Sequence, residues 1–208
     1  MDWLSTLING LLLGGLYALF GLGLALVFGV MRVVNLAHGE FIVLGAYAGF
    51  FLVGWFSSVP VWAMLIPVVL IGYAFGWLLQ ATLLNRAVRS GNVLTPLVLT
   101  FGLSIVLVKL LEKSAGAGER LLRVELPGPP IVEIGPVFIP TVEIAVFVIA
   151  LLSTAGLLAM LSYTDFGRSI RACRDNPRSA SILGVNVPAI YTKTMFLCGA
   201  WTGLAGAL

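Results

Sequence analysis

Charges in this chain are gathered into clusters, and the gaps between the clusters have the length of a lipid bilayer. No Asp, Glu, Lys or Arg occurs from Trp3 to Met31, Phe41 to Asn85, Ser90 to Val108, Ile144 to Tyr163 or Met195 to Leu208. A helix needs about 20 mainly apolar residues to cross about 30 Å of hydrocarbon. Soluble domains carry roughly 25% charged residues, whereas 10% of these 208 residues are charged and 60% are hydrophobic. Too few polar side chains remain to cover a water-soluble surface. The fold class is therefore all-α, a polytopic bundle of transmembrane helices.

Unbroken helix from Phe41 to Asn85 would reach roughly 70 Å, too long for one crossing. Pro60, at the end of Ser57-Ser58-Val59-Pro60, disfavours helix in the residue before it, so this stretch holds two spans. The total is about six spans in a single domain, residues 1–208. The last begins near Met195 and is still apolar at Leu208, so the sequence reads as cut short on its C-terminal side. The first stretch lacks the basic region and small-residue cleavage site of a removable signal peptide.

Short loops on the cytoplasmic side collect Lys and Arg. With the N-terminus outside, the inner side holds Arg32, Arg86, Arg89, Arg168, Arg171, Arg174, Arg178 and Lys193. The outer side keeps Lys109, Lys113, Arg120 and Arg123, balanced by Glu112, Glu119, Glu125 and Glu133. The expected outer loop, 113–140, is irregular because of Pro127-Gly128-Pro129-Pro130 and Gly135-Pro136, with a short strand near Val137 to Ile139. Glycines four apart (Gly10/Gly14, Gly45/Gly49, Gly72/Gly76 and Gly199/Gly203) point to close helix crossings. Small residues let backbones approach in lipid, although glycine is common in membrane helices generally.

Two polar islands interrupt the apolar pattern. The first is Arg32-Val-Val-Asn35-Leu-Ala-His38-Gly39-Glu40. It reads either as a cytoplasmic turn with Asn35 capping the next helix, or as a re-entrant break. In the second case Gly39 lets the backbone part, and Asn35, His38 and Glu40 line a passage, as in the discontinuous helices of transporters. The second island runs from Asp165 to Val187. Thr164 or Asp165 can cap a short helix carrying Arg168, Arg171 and Arg174 on one side, with Ile170 and Cys173 opposite. Asn176-Pro177 stops it and starts another, and Gly184 suits a left-handed end. These two short helices form either an interfacial anchor on anionic lipid or a docking element for a cytoplasmic partner. Small side chains beside arginines suit a protein groove better than a bilayer.

Other chemistries lack their residues. The net charge of +3, from 12 Lys+Arg against 9 Asp+Glu, is too diffuse to suggest nucleic acid. Cys173 and Cys198 offer neither a disulfide framework nor metal spacing, and His38 is the only histidine. No phosphate-binding loop, nucleophile elbow or intramembrane carboxylate pair is present. The chain is not expected to be an enzyme, and no metal or cofactor is expected on it. Active transport would draw energy from another chain.

Met31-Arg-Val-Val-Asn-Leu-Ala-His-Gly-Glu-Phe-Ile-Val-Leu-Gly-Ala-Tyr47 resembles the early signature of the membrane permeases of branched-chain amino-acid ABC importers. Asp165-Phe-Gly-Arg-Ser-Ile-Arg-Ala-Cys-Arg-Asp-Asn176, followed by Ala180 and Gly184-Val-Asn-Val, resembles their inner-face loop. The resemblance implies a subunit of the bacterial inner membrane. Its partners would be a second permease chain, two cytoplasmic ATP-binding subunits, a periplasmic solute-binding protein and the surrounding lipid. Asp165, Gly167, Arg168, Arg171, Ala172, Asn176, Ala180 and Gly184 would form the coupling loop, within about 164–190. Asn35, His38, Gly39 and Glu40 would stand on the translocation path. Relatives in the family are longer, with at least two further spans. The alternative is a self-contained channel or permease for small uncharged solutes such as urea or amides.

Overall fold

A computed structural model describes residues 2–56, 60–89, 92, 94–116, 131–134 and 137–208. Its elements are α1 (Asp2–Met31), α2 (His38–Trp55) and α3 (Val61–Leu79), which passes through a π-helical turn (Gln80–Leu84) into α4 (Asn85–Arg89). Then come α5 (Leu94–Ala115), a hairpin of β1 (Ile131–Ile134) and β2 (Val137–Pro140), α6 (Thr141–Tyr163), α7 (Asp165–Asp175), α8 (Pro177–Ile182) and α9 (Val187–Ala207). Of the described helices, α1, α2, α3 with its extension to Val88, α5 and α6 are long and apolar enough to cross a membrane. No more than 28% of any of those five spans is buried. Leu13, Leu70, Val98 and Leu151 face outward, so this surface requires lipid or another chain. The protein is a multi-pass membrane protein.

The charge gaps locate the helices closely, with two shifts. α5 runs on to Ala115, past the expected end at Val108, and Lys109 and Glu112 pair at 2.7 Å on its exposed surface. Lys109, Glu112 and Lys113 thus belong to a helix and not to a loop. The sixth helix starts at Val187, two turns before Met195, because Asn186 caps it by accepting from the Ala189 amide at 3.1 Å and Pro188 sits in its first turn. The hairpin replaces the lone expected strand. Its antiparallel register pairs Val132 with Ile139, and Ile139 packs against Leu12 beside Ile144 and Phe147. Ser57 to Val59, Ser90, Glu119, Arg120, Arg123, Glu125, Pro127 to Pro130 and Gly135-Pro136 lie outside the described residues.

α9 occupies the middle, packed against α1, α2 and α3. Thr194, Met195, Cys198, Gly199, Thr202 and Gly203 on it are all buried. Glycine makes this possible. A methyl built on Gly45 of α2 would stand 2.7 Å from the Gly203 carbonyl oxygen, and one on Gly72 of α3 would overlap the Gly199 backbone. Gly49 faces Ala207, and Gly76 faces Met195. Three of the four expected pairs therefore lie in the seams around α9. Gly10 and Gly14 meet nothing within 4 Å, so theirs is an open face. The polar threonines of α9 are satisfied within the helix, Thr194 donating to Ile190 O and Thr202 to Cys198 O, each at 2.9 Å.

Candidate functional site

Both polar islands meet at one end of the bundle. At the first, α1 closes with the Arg32 amide on Phe28 O at 2.9 Å, and Arg32 takes a left-handed φ of 54°. The chain then runs irregularly through 33–37 before α2. Val33, Asn35 and Ala37 are buried while Val34 and Leu36 are exposed, so alternate residues of this stretch face the core. Its backbone is held from both sides: the Leu36 amide donates to Thr100 Oγ1 of α5 at 3.2 Å, and Asn35 Oδ1 accepts from the Ala37 amide at 3.1 Å. Asn35 thus folds the tight turn into α2 without capping the helix directly.

His38, 8% exposed, points inward. Its Nε2 donates to the Phe20 carbonyl of α1 at 2.9 Å, which leaves Nδ1 facing the Cys198 thiol of α9 at 3.9 Å. Gly39 is exposed. Glu40 Oε1 accepts from Ser104 Oγ of α5 at 2.6 Å, while Glu40 Oε2 and Asn35 Nδ2 are buried without a protein partner. This differs from a plain solvated turn, since Asn35 and His38 are enclosed by protein. Buried polar atoms with no partner are rare in folded proteins and call for water or a ligand.

The second island folds as its residues suggest. Thr164 caps α7 by accepting from the Gly167 amide at 3.2 Å. Asn176 caps α8 by accepting from the Arg178 and Ser179 amides at 3.0 and 3.1 Å. Gly184 ends α8 at φ 87°, with the Val185 amide reaching back to Ala180 O at 3.0 Å, a Schellman closure. One face of this elbow is internal. Gly167 lies on the Leu161 backbone, and Ile170, Cys173 and Ala180 join the core with Met31, Val33 and Ala37. Burial pushes the Cys173 thiol pKa up.

The eight expected coupling residues therefore separate by role. Asp165, Arg168, Arg171, Asn176 and Gly184 are exposed, with Arg168 paired to Asp165. Gly167 and Ala180 are buried fasteners, and Ala172 is half-buried. Arg171 turns its guanidinium back onto the Leu161 carbonyl of α6, so it braces the elbow. Sequence reasoning missed Ile182 and Leu183, 86% and 81% exposed at the tip of α8. Two bulky apolar residues just before a helix-ending glycine were the available signal. That reasoning placed Arg32 in the first island but not its bond to the second: Nη2 donates to the Arg174 carbonyl at 3.3 Å and ties the two islands together.

The family model described as the permease component of branched-chain amino acid transport systems matches residues 6–208. That span takes in both islands and all of the bundle but the first residues of α1. The chain belongs to this permease family. It is 30% identical over 216 residues to the high-affinity branched-chain amino acid transport system permease protein BraD of Pseudomonas aeruginosa, covering 99% of this chain and 70% of BraD. LivH of Escherichia coli K12, also a high-affinity branched-chain amino acid transport system permease protein, is 28% identical with the same coverage. LivH of Methanocaldococcus jannaschii is 26% identical over 209 residues, 96% of this chain and 64% of that protein. No solved structure matches the permease chain.

Proposed function

We propose that this permease chain is the transmembrane subunit of an ATP-driven, binding-protein-dependent importer of leucine, isoleucine or valine. The supporting observation is the elbow: an exposed basic surface whose other face is fastened to α6 by Gly167 and Arg171 and to the segment that follows α1 by Arg32. A surface held this rigidly moves with the helices behind it. Two cytoplasmic ATPases would grip the pair of elbows in a complex of two permease chains, and a periplasmic binding protein would deliver the solute. ATP closes the ATPases, the elbows shift, and the seams around α9 let the spans rock between outward- and inward-facing states. The chain would lie in the inner membrane, N-terminus outside, elbow in the cytosol. Asn35, His38 and Glu40 would line the path, where the partnerless Asn35 Nδ2 and Glu40 Oε2 meet water or solute.

Proteoliposomes test the reading directly. The chain reconstituted with its partner permease, ATPases and binding protein should accumulate leucine only with ATP, and the chain alone should be inert. Solute flux through the purified chain without nucleotide would instead identify a self-contained channel.

A further inference from the structure

Arg32 is the single non-glycine residue with a left-handed backbone among the described residues. To end α1 there, glycine or asparagine would serve with less strain. An arginine persists at such a position only where its surroundings over-determine it, and residues of this kind gather at switch regions. What the side chain does here is specific. The left-handed turn throws it out of line with α1 and across to α7, where Nη2 donates to the Arg174 carbonyl at 3.3 Å, 142 residues away in sequence. Arg174 stands in the last turn of α7. Carbonyls there lack helical partners and form the negative end of the helix dipole, so a cation is well placed on them.

Immediately after Arg32 comes the irregular stretch 33–37, which turns into α2 at His38. It is short, alternately buried, and bonded to α5 through Thr100 and to α1 through His38 and Phe20. A displacement of α7 therefore has a polar link to the chain entering α2. We propose that Arg32 is the positioning residue that carries movement of the elbow into the Asn35–His38 junction. This rests on the importer reading above. Arg32 touches no solute in this scheme; it sets where Asn35 and His38 stand when the elbow moves.

The test uses the complete reconstituted importer, with leucine uptake and ATP hydrolysis measured on the same vesicles. Arg32→Gly suits the left-handed backbone and removes the side-chain link. It should assemble and hydrolyse ATP normally, while leucine moved per ATP falls by about tenfold, inside the range usual for coupled sites. Arg32→Lys keeps a charged donor and should recover a substantial part of that ratio. An unchanged ratio in Arg32→Gly overturns the proposal, as does an equal deficit in both variants. Failure of Arg32→Gly to assemble also overturns it, because the residue would then be a structural support. If the wild-type complex moves no leucine, the importer reading itself falls and this proposal with it.

Discussion

Gly45→Ala adds one methyl group where α2 crosses α9. That methyl would lie 2.7 Å from the Gly203 carbonyl oxygen, 2.8 Å from its Cα and 3.1 Å from its carbonyl carbon. Carbon atoms pack best at about 3.5–4.0 Å, so the helices must part by roughly 0.5–1 Å, and a gap of that size forfeits a quarter to a half of each contact around it. Backbone cannot swing aside as a side chain can. Overpacking of this kind costs about 1–3 kcal/mol. The gain of about 1 kcal/mol from replacing a helical glycine by alanine is removed by comparison with Gly54→Ala, in the same helix with nothing within 4 Å. In detergent, Gly45→Ala should melt roughly 2–12 °C below Gly54→Ala, given about 2–4 °C per kcal/mol for a chain of this size. Equal midpoints would mean that the glycine seam does not hold α2 to α9.

Two further outcomes concern the elbow. Cys173, 0% exposed, should react with maleimide at neutral pH at least about tenfold more slowly than a cysteine placed at Ser181, since the thiolate is the reactive form. Because burial raises its pKa, its rate should go on climbing with pH beyond the point where the cysteine at position 181 levels off; matching rates would mean that the inner face of α7 is open. Ile182→Asp with Leu183→Asp should leave melting within about 0.5 kcal/mol of wild type, as exposed substitutions do. The same pair should weaken co-purification with the ATPases by about 2 kcal/mol or more, the size of a hot-spot loss; undiminished co-purification would exclude the tip of α8 from the interface.

Local rules carried the sequence reading furthest. Thr164, Asn176 and Gly184 act within a few residues of themselves, and each caps or ends its helix as its type requires. Trp3 to Met31 is almost the whole of α1 for a similar reason, since the bilayer imposes its length on the apolar run. What escaped depends on partners far along the chain. Nothing near Gly10 or Gly45 says which of them meets another helix. Arg171 is exposed as its charge suggests, but its bond to the Leu161 carbonyl, ten residues back, is not readable from the sequence. The start of α9 was hidden because Lys193 lies in its second turn, and a helix at the centre of a bundle needs fewer apolar residues than one facing lipid.

The position of α9 bears on how the protein is made. The seams on α2 and α3 that receive it belong to helices synthesised long before it. Until α9 is made, the faces of α2 and α3 that carry Gly45 and Gly72 lack the helix they pack against. Closure of the bundle around α9 therefore has to wait until α9 itself is made. Changes that slow the entry of α9 should expose the nascent bundle to membrane proteases even where the finished fold would tolerate them.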